Sequence, residues 1–151
     1  MAISYLSDLV NESKTRKVWV YNDEQADAKF FSEAMQEYCF SFYTIGTPAS
    51  MNAFHQLSQK MLEVDQNNNA FINNIGTCSL IVKDDPKTAL KYYTKVLKSH
   101  PDDYTAIKNC VLLARKQNNV KQEKKYLQLL AEHGTESERL SAAARLKQLA
   151  K

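Results

Sequence analysis

Glycine and proline are scarce in this chain, three of each in 151 residues. That excludes a Gly-rich loop of the kind that cradles phosphates. No strand–turn–helix nucleophile motif is present either. Long apolar runs are missing. None approaches the roughly 20 residues that a membrane span needs, so no membrane partner is expected. Residues 1–12 already include Asp8 and Glu12 and lack a basic start followed by an apolar stretch, which does not read as a secretory signal. Charge of one sign is lacking as well. Seventeen acids against 20 bases leave a net charge of +3, not the concentrated field of a nucleic-acid binder. Paired cysteines are absent. Cys39, Cys78 and Cys110 are odd in number, none forms a Cys-x-x-Cys pair, and each sits among apolar residues. They read as buried thiols in a reducing, cytoplasmic compartment.

What is present is helical patterning. Lys, Gln, Leu, Ala and Glu are plentiful, and all suit helices. Ile3, Leu6, Leu9 and Val10 give residues 2–13 one apolar helical face. Residues 17–21, Lys-Val-Trp-Val-Tyr, read as an extended connector or short strand. Asn22, Asp23 and Glu24 look like a helix start, which predicts an aromatic-rich helix over 24–45, ended by Gly46-Thr47-Pro48. Further helices are expected over 48–64, 70–83, 86–99, 104–117 and 120–133, each bounded by polar or proline-containing breaks. Gly134 reads as a C-terminal cap. Thr135 and Glu138 are spaced as a capping box that starts a last helix to about residue 150. In that helix Leu140, Ala143, Leu146 and Leu149 are expected to face inward. Glu136, Arg139, Arg145 and Lys147 would form the polar outer face that the end of a stack requires.

Two consecutive stretches repeat one another. Ile72 is answered by Ile107 (107 − 72 = 35), Tyr93 by Leu127 (127 − 93 = 34) and Val96 by Leu130 (130 − 96 = 34). A period of that size with helical spacing indicates stacked helical hairpins. The pattern resembles the tetratricopeptide repeat, best over 69–102. There Gly76 falls on that family's small position in the first helix, and Ala89, Tyr93 and Pro101 on its second-helix and terminal positions. One extra residue is needed in the turn at Asp84–Pro86. Residues 104–136 match more loosely, since Glu123 stands where a small residue is usual and Thr135 where proline is usual. A degenerate unit precedes them. The resemblance implies an all-α fold, a right-handed superhelical stack of antiparallel helix pairs. In one domain over 1–151, a helix and connector (1–23), a degenerate repeat (24–68), two repeats (69–103 and 104–134) and a capping helix (135–151) would follow in order.

Residues able to carry chemistry are few. His55, His100 and His133 are 45 and 33 residues apart (100 − 55, 133 − 100), with no second ligand at useful spacing. Asp84-Asp85 and Asp102-Asp103 each adjoin a proline at a helix boundary, so turn and cap duty is the better reading. The densest basic stretch is Arg115, Lys116, Lys121, Lys124 and Lys125. It reads as a solvated face before it reads as a nucleic-acid surface: Glu123 interrupts it, and the aromatics a single-stranded site would use are expected in the core.

The sharper expectation concerns a groove. In the family resembled, the first helix of each pair lines a concave side. Asn74 and Asn109 are equivalent there (109 − 74 = 35), as are their neighbours Asn73 and Lys108. An Asn amide both donates and accepts, so such a ladder can grip an extended backbone without reading its side chains. The resemblance also offers a partial carboxylate clamp in Lys108, Asn109 and Arg115. Thr77 and Leu112 would floor the groove, and Phe40 and Tyr43 would extend it if they are not core. The ordinary alternative is a polar, solvated helix face. The expected function is therefore a non-catalytic protein–protein interaction module taking a protein or peptide partner, with no enzyme activity, cofactor or metal. A structural or self-associating spacer, with Trp19 in its interface, is the first rival. Nucleic-acid binding through the 115–125 patch is the second.

Overall fold

The computed structural model describes residues 19–21, 24–26 and 28–151, with side chains from residue 31 onward. The expected helix over 2–13 and the side chain of Trp19 lie outside the described residues. Two strands, β1 (Trp19–Tyr21) and β2 (Glu24–Ala26), pair antiparallel with Trp19 opposite Ala26, Val20 opposite Gln25 and Tyr21 opposite Glu24. The helix expected from residue 24 therefore starts later, as α1 (Ala28–Ile45). Trp, Val and Tyr favour a pleated strand, and Glu24, expected within a helix start, stands in β2 instead.

Among the described residues seven helices follow and pack mainly with their sequential neighbours. They are α1, α2 (Pro48–Val64), α3 (Asn69–Ile81), α4 (Pro86–Ser99), α5 (Tyr104–Lys116), α6 (Val120–His133) and α7 (Glu136–Leu149). None is long and apolar enough to cross a membrane. The chain divides into two compact units within α3, after Cys78.

In the first unit, Phe31, Met35 and Cys39 recur at four-residue spacing on α1. They meet Met51, Phe54, Leu57 and Met61 of α2, with Phe71 and Cys78 of α3. Gly46 ends α1 at φ +71°, a conformation that glycine adopts without cost. Thr47 caps α2 by accepting from the Ser50 backbone N–H (3.1 Å), and Pro48 fills the first helical position. Asp65 gathers the far end. Its Oδ2 accepts from the Ser32 hydroxyl and from the Asn68 amide, each at 2.9 Å. Not all the aromatics of α1 enter this core, contrary to expectation. Phe40 is 65% exposed, and Tyr38 and Tyr43 are exposed too. One helix has room for a single buried stripe, and 31, 35 and 39 occupy it.

In the second unit Ala89 and Tyr93 of α4 pack with Ile107, Cys110, Val111 and Leu113 of α5, Tyr126, Leu127 and Leu130 of α6, and Ala142 of α7. Each helix start has its own side-chain cap. Asp85 accepts from the Thr88 N–H (3.0 Å), Asp103 from Ala106 (2.9 Å) and Asn119 from Gln122 (3.1 Å). Asp84 and Asn118 take left-handed backbone at φ 49° and 54° to turn the chain. Thr135 and Glu138 form the expected capping box. Gly134 caps α6 as expected, its N–H donating to the Leu130 carbonyl at 2.9 Å, with its backbone extended (φ −73°, ψ 171°). Its role is space. A Cβ there would sit 2.7 Å from the Leu130 carbonyl and 3.0 Å from the Glu138 Cβ.

The phase of α7 also differs from expectation. Ala142 is its buried residue, with Leu146 and Leu149 packed alongside, while Leu140 is 67% exposed and Ala143 is exposed. Arg145, expected on the polar outside, is turned inward to an ion pair. Charge fixes this rotation, because Glu138 and Arg145 both reach partners on neighbouring helices.

Candidate functional site

The stripe of α5 that is not buried carries polar side chains and one leucine. Helical spacing places Thr105, Lys108, Asn109, Leu112, Arg115 and Lys116 along one side, while Ile107, Cys110, Val111 and Ala114 are buried on the other. Leu112 is 51% exposed in the middle of this stripe. Below it, Lys108 Nζ donates to Glu138 Oε1 at 3.1 Å. Above it, Arg115 Nε donates to Glu123 Oε1 at 3.0 Å. Lys116 pairs with Asp84 at 3.4 Å, a contact exposed on both sides and of little energetic weight. Asn109 is half-buried, and its amide has no partner among the described residues. The stripe thus holds an unengaged amide and an exposed leucine between two side chains fixed by ion pairs.

Glu123 explains that rigidity. Its carboxylate is only 3% exposed. Arg145 Nε donates to Oε1 at 2.8 Å, the oxygen that Arg115 also reaches, and Arg145 Nη2 to Oε2 at 3.4 Å. The Arg145 hydrogen bond holds its carboxyl below the usual glutamate value; burial works the other way, and Arg115 adds to the lowering. One carboxylate therefore ties α5, α6 and α7 together. It stands where the repeat resemblance puts a small residue. The helix period marked it as an intruder in the basic stretch, but nothing in the sequence pointed 22 residues on to Arg145. Glu138 is held similarly. Burial raises its carboxyl, but the Thr135 backbone N–H and the Lys108 ammonium outweigh that and leave it lowered.

The residues expected on α3 are placed differently. Asn73 is 3% exposed, so it offers nothing to an open surface, and its Oδ1 has no hydrogen-bond partner. Asn74 is half-buried, and its Nδ2 donates to Ser58 Oγ at 3.1 Å. Ser58 Oγ in turn donates to the Phe54 carbonyl at 2.7 Å and lies 3.5 Å from Cys39 Sγ. Asn74 is thus a strut between α3 and α2. Thr77 is half-buried. Phe40 is exposed on α1, and the Tyr43 ring packs at 5.7 Å from that of Phe54.

Candidate chemistry elsewhere is quiet. All three cysteines are free and buried. Burial pushes the Cys39 thiol up to about 11 and the Cys110 thiol up to about 12, far from a reactive thiolate. Asp85 and Asp103 are spent on helix caps. His100 closes α4, and His133 lies 3.8 Å from Glu132 at the end of α6. No group of three or more metal-ligating side chains occurs among the described residues. In the basic stretch, Glu123 is withdrawn from the surface, Arg115 and Lys116 are paired, and Lys125 lies 5.4 Å from the Tyr126 ring centroid. No protein-family model matches the chain, and no curated protein matches it.

Proposed function

We propose that this chain is a non-catalytic interaction module of the tetratricopeptide-like kind, binding an extended segment of a partner protein along α5. The observation that carries this reading is the α5 stripe: an uncommitted Asn109 amide beside exposed Leu112, between Lys108 and Arg115, both held by carboxylates. An amide that donates and accepts can grip a peptide backbone, and an adjacent leucine adds an apolar anchor. Side chains already fixed lose little freedom on binding, which favours affinity. The sequence period and the neighbour-to-neighbour packing of α4 to α7 support a helical stack. The Asn74 end of the expected ladder is not carried forward, because its amide is engaged with Ser58.

The test is selection of peptides from a random library on the whole chain, followed by titration of the best binder. Asn109→Ala/Leu112→Ala should weaken binding by at least about tenfold, with the variant's circular dichroism unchanged. Lys121→Ala/Lys124→Ala should leave it within about twofold. A library that yields no binder, or one whose binder ignores the α5 variant, contradicts the reading.

A further inference from the structure

We infer that the outward face of α7 is a contact surface for a second copy of this chain, paired antiparallel about a twofold axis. A helix advances 100° per residue, so Glu136, Leu140, Ala143, Ala144 and Lys147 share one side of α7. It lies opposite Glu138, Ala142, Arg145, Leu146 and Leu149, which pack into the unit or reach its ion pairs. All five outward residues are exposed, the leucine among them. This face carries a leucine with two alanines one turn on, small enough to let another helix approach.

Charge complementarity selects the occupant. Glu136 and Lys147 stand eleven residues apart (147 − 136), three turns or about 16 Å along the axis. Neither has an ion-pair partner among the described residues. In a twofold contact every pairing occurs twice with the roles exchanged. An antiparallel copy centred between residues 141 and 142 sets Glu136 against Lys147 and Leu140 against Ala143, and the same pairs recur at the other end. A parallel copy would set like charges together. One helix face buries less than a standard interface, so the dimer is weak and forms at roughly 100 µM.

Sedimentation equilibrium on the full chain, from about 10 µM to 1 mM, tests this. Mass should rise reversibly towards that of a dimer. Leu140→Asp should raise the dissociation constant at least about tenfold. Lys147→Glu should also weaken the dimer, because it sets glutamate against glutamate at both ends. The double change Glu136→Lys/Lys147→Glu should restore association. That last arm separates the dimer from a simpler cause. If the two charges served only the α7 dipole, reversing both would be worse than reversing one. A monomeric mass throughout, association indifferent to Leu140→Asp, or no restoration by the double reversal each overturns the proposal. Circular dichroism on every variant confirms that the helices remain.

Discussion

At the scale of single residues, Glu123 links three helices of the second unit through Arg115 and Arg145. A buried carboxylate between two guanidiniums is favourable only while it is ionised. Its carboxyl is held below the ordinary value of 4.5. A lowered folded-state value means that the stabilisation is present above about 4.5 and is lost as pH falls through the folded-state value. Glu123→Gln should therefore lower the urea midpoint at pH 7, and the difference from wild type should shrink steadily below pH ~4.5. Glu138 titrates in the same direction, so the variant keeps part of the acid dependence. Urea titrations at pH 7, 5, 4 and 3 check this, and a constant difference across them would rule out the ionic role. The sequence showed Glu123 only as an exception, an acid in a basic stretch at a position where the repeat expects a small residue. Its partners were invisible, because Arg115 and Arg145 meet it only once three helices have taken their rotations. The same limit applies to Asn74. Its place on α3 could be read, but not the buried Ser58 hydroxyl that occupies its amide.

At the scale of elements, helix boundaries were legible wherever a residue has one strong local role. Pro48 and Pro86 start α2 and α4, Asp103 caps α5, Asn119 caps α6, and Thr135 with Glu138 starts α7. Legibility failed at two other places. Glu24, expected within a helix start, stands in β2, and the three-residue spacing of Leu140, Ala143, Leu146 and Leu149, read as one inward face, drifts around α7 so that only Leu146 and Leu149 of the four pack inward. Gly134 caps α6 as expected, but for a reason that composition does not show. It ends α6 in ordinary extended backbone, so φ does not demand glycine. Close approach does, because a Cβ would meet the Leu130 carbonyl at 2.7 Å and Glu138 at the α7 capping box. Gly134→Ala should thus cost about 1–3 kcal/mol, since it forces backbone apart at a packed junction. Asn118→Gly, at a position of positive φ, should be neutral or stabilising. Thermal denaturation of the two variants separates the two kinds of turn. A harmless Gly134→Ala would show that the α6–α7 junction has slack.

At the scale of the whole molecule, the protein is two units, each with an apolar cluster of its own. Cys39 and Cys78 lie in the first cluster and Cys110 in the second, which makes the thiols native reporters of both. A buried, protonated thiol reacts slowly with an aromatic disulfide reagent. All three cysteines should resist labelling in buffer and react promptly in denaturant. Their rates in intermediate urea will report opening of each unit. Rapid labelling of Cys39 in buffer would contradict its place against Ser58. The helical class was legible in the sequence because it rests on spacing, which survives without coordinates. The proposed binding face was legible only in part. Asn109 and Leu112 were visible as residues, but which neighbours hold that surface rigid was not.

The claim that partners are gripped along α5 is tested most directly by locating a bound peptide. The measurement is a chemical-shift map of the isotope-labelled chain with a library-selected peptide added in steps. The largest changes should fall on the backbone of residues 105–116 and on the Asn109 side-chain amide. Changes centred instead on Lys121, Lys124 and Lys125, or on Phe40 and Tyr43 of α1, would contradict it.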